Sequence, residues 1–82
     1  AALALLDARP WVVRARDAAR RLLAENGNRP ITIDHVHALV GEPPRPNENG
    51  AVFRRGFRQV GFAVSEKAHG HGNLVRKWVL DA

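Results

Sequence analysis

The 82-residue chain has no cysteine, no methionine and no tyrosine; its aromatics are two tryptophans and three phenylalanines. Without cysteine there is neither a disulfide framework nor a zinc–thiolate site. That fits a reducing compartment. The missing methionine leads us to expect a chain whose initiator was removed, or a piece of a longer protein. No apolar run approaches the roughly 18 residues of a membrane span. The opening AALALL has no basic lead-in and no following cleavage pattern, so it is a poor signal peptide. The expected setting is cytoplasmic, nucleoid-associated or phage-encoded, with no membrane partner.

Catalytic patterns are missing as well. There is no Ser/His/Asp logic, no paired-carboxylate cluster and no phosphate-cradling glycine motif. A nuclease needs clustered carboxylates to hold Mg²⁺, and none is visible. A non-enzymatic chain without cofactor or small-molecule substrate is therefore expected. His35-x-His37 and His69-x-His71 invite a metal reading. Residues two apart on a helix point away from each other, so His35 and His37 cannot chelate together. Neither pair has a cysteine or suitably spaced carboxylates beside it, and no metal site is expected.

What is present is an ordinary globular composition, 45% hydrophobic, and a net charge of +5. The length suits one domain over residues 1–82, with a single small core. The charge is uneven. Residues 1–42 have a net +1, and residues 43–82 a net +4 from seven Lys/Arg against three Asp/Glu. Surplus positive charge favours a polyanion, because each neutralised phosphate releases counterions.

Hydrophobic spacing predicts a first helix over residues 8–26. Val12, Ala15, Ala19, Leu22 and Leu23 make its apolar stripe, Asp7 its N-cap, and Gly27 its stop. Residues 1–6 extend it or form an arm. Pro30 bars helix, and Ile31 suits a very short edge strand. Thr32 caps a second helix over residues 33–40, with Asp34 favouring its dipole and Gly41 ending it. Pro43-Pro44-Arg45-Pro46 reads as a stiff turn, with a PxxP ligand as the alternative. A third helix is placed from Asn47 or Glu48 to Arg55, with Asn47 as N-cap and Val52 and Phe53 inward. Asn49-Gly50 is also a hairpin-turn pair, so a later start is the alternative. Residues 57–64 alternate as a strand, with Val60, Phe62 and Val64 on one face. Residues 65–73 turn, and residues 74–80 return with Leu74, Arg76, Trp78 and Leu80 sharing a face. The Arg76 position suggests that part of this face lies beyond the core.

On a third helix with Phe53 inward, Asn47, Glu48, Ala51, Arg54 and Arg55 fall outside, with Arg58 just beyond its end. Arginine matches guanine or phosphate with a planar fork, and asparagine pairs with adenine. Asn47, Asn49 and Ala51 are therefore expected near base edges, Ala51 because a small side chain admits a groove. Arg54, Arg55 and Arg58 are expected on phosphates or bases, and Arg45 precedes them. In the turn, Lys67, His69, His71 and Asn73 can donate to phosphate, with Arg76 at the base.

The order α, short β, α, α, β, β is that of a winged helix-turn-helix: an α+β fold of three helices, a short first strand and a C-terminal hairpin wing. Pro30-Ile31-Thr32-Ile33-Asp34, Pro46-Asn47 with Gly50-Ala51-Val52-Phe53, Phe57-Arg58-x-Val60-Gly61-Phe62, His71-Gly72 and Val75-Arg76-x-Trp78 cover much of residues 10–80. In order and spacing this resembles small winged-helix proteins of actinobacterial phages and their hosts. The resemblance implies double-stranded DNA binding, accessory to replication, recombination or transcription regulation. Recognition helix and wing together span residues 43–80. A homodimer through the first helix would extend specificity. The alternative is a protein–protein adaptor without DNA contact, and a third reading, RNA binding, is short of free aromatics.

Overall fold

The computed structural model describes residues 8–65 and 73–81. It is an α+β arrangement of three helices followed by a two-stranded antiparallel hairpin. The elements are α1 (Pro10–Glu25), α2 (Ile33–Val40), a short 3₁₀ helix η1 (Pro46–Ala51), β1 (Phe57–Val64) and β2 (Leu74–Leu80). No helix among the described residues is long and apolar enough to cross a membrane.

Helix α1 forms where the apolar period places it. Trp11, Val12, Ala15, Ala19 and Leu23 are its buried stripe. Its N-cap is Arg9, extended and without a side-chain cap, and Pro10 takes the first helical position. Proline suits that position because its missing N–H would have no helical partner. Asp7, the expected cap, lies outside the described residues, as does the 1–6 arm. At the other end Gly27 and Asn28 both take positive φ, and the Asn28 N–H returns to the Leu23 carbonyl at 2.7 Å. This left-handed exit satisfies a carbonyl that the helix leaves unpaired.

Ile31 makes an isolated antiparallel bridge with Trp78, its N–H and C=O exchanging bonds of 3.0 and 2.8 Å. The very short strand expected at Ile31 is thus a single bridge on the free side of β2. Thr32 then begins α2, and its N–H is capped by His35 Nδ1 at 2.9 Å. His35 fills the place that Glu or Gln holds in a capping box. Trp11 ties α1 to the end of α2, its indole N–H donating to the Gly41 carbonyl at 3.1 Å.

The third helix differs from expectation. Arg45 is the N-cap, Pro46 opens the helix, and the 3₁₀ winding ends at Ala51. Asn47 therefore lies inside the helix and does not cap it. Residues 52–55 continue as turn and bend, so Arg54 and Arg55 stand after the helix. Asn49 and Gly50 are both poor α-helix formers, and a six-residue 3₁₀ turn tolerates them.

The hairpin pairs Phe57 with Leu80 and Val64 with Leu74, with an irregularity between Gln59 and Gly61 that leaves Val60 as the extra residue. Gly61 has φ 153°, which permits this bulge. Near its base the hairpin closes the core. Phe53 stacks on Trp78 with centroids 5.1 Å apart, and meets Phe57 edge-on at 5.2 Å. Farther along, Phe62, Val64 and Leu74 are exposed.

Candidate functional site

The cationic half of the chain is built around η1, and Arg16 of α1 holds it in place. The Arg16 guanidinium donates to the Ala51 carbonyl at 2.5 Å and to the Val52 carbonyl at 3.2 Å. These carbonyls end η1, where no further helical N–H reaches them, and a cation there also suits the helix dipole. A second arginine of α1, Arg20, lies 5.8 Å from the centroid of the Phe57 ring. No motif in the sequence singles out Arg16. The available signal was its place next to buried Ala15, at the border of the apolar stripe, where a long basic side chain can reach over the core.

Two of the residues expected to face outward are internal. Ala51 is completely buried and Glu48 is 2% exposed. Ala51 therefore leaves the set of candidate contacts, and Glu48 is not on the outer face. The cause is where the helix ends: η1 stops at Ala51, so Phe53, in the turn beyond it, does not set its phase. In a 3₁₀ helix residues three apart eclipse, so Glu48 and Ala51 share one side. An α-helix continuing to Phe53 would place both on the side away from it. Asn49 is half-buried, with its Oδ1 accepting from His37 Nε2 at 2.7 Å. Its carbonyl oxygen is thus already engaged.

The remaining expected residues are distributed over three places. Arg45 and Asn47 are exposed at the start of η1. Arg54 is half-buried and Arg55 exposed in the turn before β1. Arg58 on β1 pairs with Val79, and Arg76 on β2 pairs with Phe62. Positions 76 and 79 are an odd number apart on a strand without a bulge, so Arg58 and Arg76 lie on opposite faces of the hairpin. Asn73 is exposed where β2 begins, its carbonyl accepting from the Ser65 N–H at 2.8 Å. Lys67, His69 and His71 lie outside the described residues. An open groove of about 400 Å³ brings Asn49, Arg54 and Arg76 together over a floor that includes Ile33, Phe53 and Trp78.

With Glu48 buried, few acids are left among the exposed side chains of this half. Among the described residues from 43 onward, Asp81 is then the sole acidic side chain left exposed, against Arg45, Arg55, Arg58 and Arg76 exposed and Arg54 and Lys77 half-buried. No group of three or more His, Asp or Glu that could hold a metal ion occurs among the described residues. His35 and His37 have separate partners, the Thr32 backbone and Asn49.

No family model matches this chain, and neither a curated protein nor a solved structure matches it.

Proposed function

We propose that the chain is a winged-helix domain that binds double-stranded DNA without catalysing a reaction on it. The Ile31 bridge to Trp78 takes the part of the first strand, and β1 and β2 that of the wing. The observation that carries the proposal is the excess of exposed arginines among the described residues from 43 onward: Arg45, Arg55, Arg58 and Arg76, with Asp81 the one exposed acid there. A duplex carries closely spaced phosphates, and such a surface gains affinity from counterion release. The short η1 presents its exposed N-terminal end, Arg45 and Asn47, and the following turn presents Arg55. The adaptor alternative predicted that Arg54 and Arg55 would be locked in internal ion pairs. The outcome is divided: Arg55 is exposed and has no ion pair among the described residues, whereas Arg54 is half-buried and has a partner.

The test is fluorescence anisotropy on a labelled duplex over a salt series, with single-stranded DNA and RNA as competitors. Affinity falls steeply as salt rises, with a log–log slope of roughly −0.9 for each phosphate neutralised. The double variant Arg55→Ala/Arg58→Ala flattens that slope by about 2 units if both residues hold phosphates. Binding absent at low salt, or indifferent to salt, refutes the proposal.

A further inference from the structure

The outer half of the hairpin has a surface that phosphate binding does not explain. Phe62 is 57% exposed, Val64 60% and Leu74 67%, the most exposed large apolar side chains of the hairpin. The register sets them on one face. Phe62 lies across from Arg76, and Val64 across from Leu74. The same face of β2 continues to Trp78 and Leu80, which pack against the core. The sequence therefore keeps this face mainly apolar along the hairpin, interrupted by Arg76 and by Gln59 across from Trp78, while the core underneath covers only its base. Exposed apolar side chains cluster where they have something to bury against.

The surroundings of this face select the occupant. Arg76 stands within it, and Arg54 and Arg76 line the adjoining groove, whose floor includes the Phe53–Trp78 stack. Asp34 is the nearby acid, and its Oδ2 accepts a hydrogen bond from Ser65 at 2.9 Å. An apolar face set among arginines complements a partner with apolar planes edged by negative charge. A disturbed DNA base step has that chemistry: unstacked base faces between phosphates.

Resting on the DNA-binding reading, we infer that the hairpin is a wedge, with Phe62 and Leu74 inserting at a weakly stacked or mispaired base step while Arg54 and Arg76 hold the flanking phosphates. Insertion of apolar side chains between base steps costs stacking energy, and the cost is smallest where the step is already mispaired. The domain therefore prefers duplexes containing such a step. The β1–β2 ladder makes the wedge stiff, and the bulge at Val60 bends β1 just before Phe62.

The experiment compares a fully paired duplex with one of the same length and flanking sequence containing a single mismatch, labelled with 2-aminopurine beside it. The wild-type domain binds the mismatched duplex roughly tenfold tighter, the scale of one base–aromatic contact, and 2-aminopurine fluorescence rises as the base unstacks. Phe62→Ser and Leu74→Ser each lower the preference to less than about threefold and suppress the fluorescence rise, with salt-dependent binding to the paired duplex retained. Val13→Ser, an equally exposed apolar change on α1, leaves the preference intact. Thermal melting confirms that each variant is folded. Equal binding of both duplexes by the wild type overturns the wedge and leaves the DNA reading standing. Unchanged discrimination in both wing variants also overturns it and points to a protein segment as the occupant of the apolar face. Failure to bind either duplex overturns both readings.

Discussion

Replacing Arg16 by alanine is the most informative single change to the architecture. Arg16 is one side chain of α1, yet it terminates η1 by donating to the Ala51 and Val52 carbonyls. A hydrogen bond from a charged donor is worth about 1.5–3 kcal/mol, and the site is partly open to water, which favours the lower figure. Two such bonds give a loss of about 3 kcal/mol. A domain of this length has a total stability of roughly 4–12 kcal/mol, so the loss is a large fraction of the whole. At about 4–8 °C per kcal/mol for a small domain, the melting temperature falls by roughly 12–24 °C. Circular dichroism over a thermal ramp and a urea titration measure both quantities. Arg16→Lys keeps the charge but not the planar fork, and recovers less than half of the loss. Arg21→Ala is the control. Arg21 makes an exposed pair with Asp17 at 3.2 Å, four residues away on the same helix, and its removal costs less than about 0.5 kcal/mol. If Arg16→Ala melts together with Arg21→Ala, the anchoring role is wrong.

Three further outcomes check the fold around the site. Leu23→Ala empties a fully buried position and costs about 2–5 kcal/mol in a urea titration. Gly41→Ala forces a Cβ onto φ 78° with open space around it, so backbone strain alone lowers stability by roughly 1–2 kcal/mol, read from the melting curve. A double-mutant cycle on Asn49→Ala and His37→Ala gives a coupling of about 0.5–1.5 kcal/mol; additive effects would show that this hydrogen bond contributes nothing to positioning η1.

Much of the architecture can be read along the chain because it rests on local rules. The bounds of α2 follow from Thr32 and Gly41, one a capping residue and the other at φ 78°. The stripe of α1 follows from period, and its stop from Gly27. The face shared by Leu74, Arg76, Trp78 and Leu80 follows from strand alternation. Errors begin where the helix type itself depends on the surroundings. A 3₁₀ and an α-helix starting at Pro46 differ by about 20° per residue, which turns Glu48 by about 40° and Ala51 by about 100°, and the turn after Ala51 breaks their phase with Phe53. Periodicity cannot resolve a six-residue element, and so two positions expected to face a partner are internal.

The sequence by itself determined the order of elements, the bounds of α2 with Thr32 as its cap, the inward face of α1 and the concentration of positive charge after residue 43. Each depends on neighbours a few residues away or on simple addition of charge. Tertiary structure alone decided that Arg16 closes η1 from 35 and 36 positions away, that Asn28 fastens to the end of β2 with its Oδ1 accepting from the Leu80 N–H at 2.8 Å, and that Glu48 turns inward. It also decided how far the core reaches along the hairpin. The face of β1 and β2 that carries Phe62, Val64, Leu74, Trp78 and Leu80 runs the length of the hairpin, but the helices are too few to cover it all. Which part is core and which part is exposed wing is set by the packing of α1, α2 and η1 against the base, a quantity that no local pattern contains.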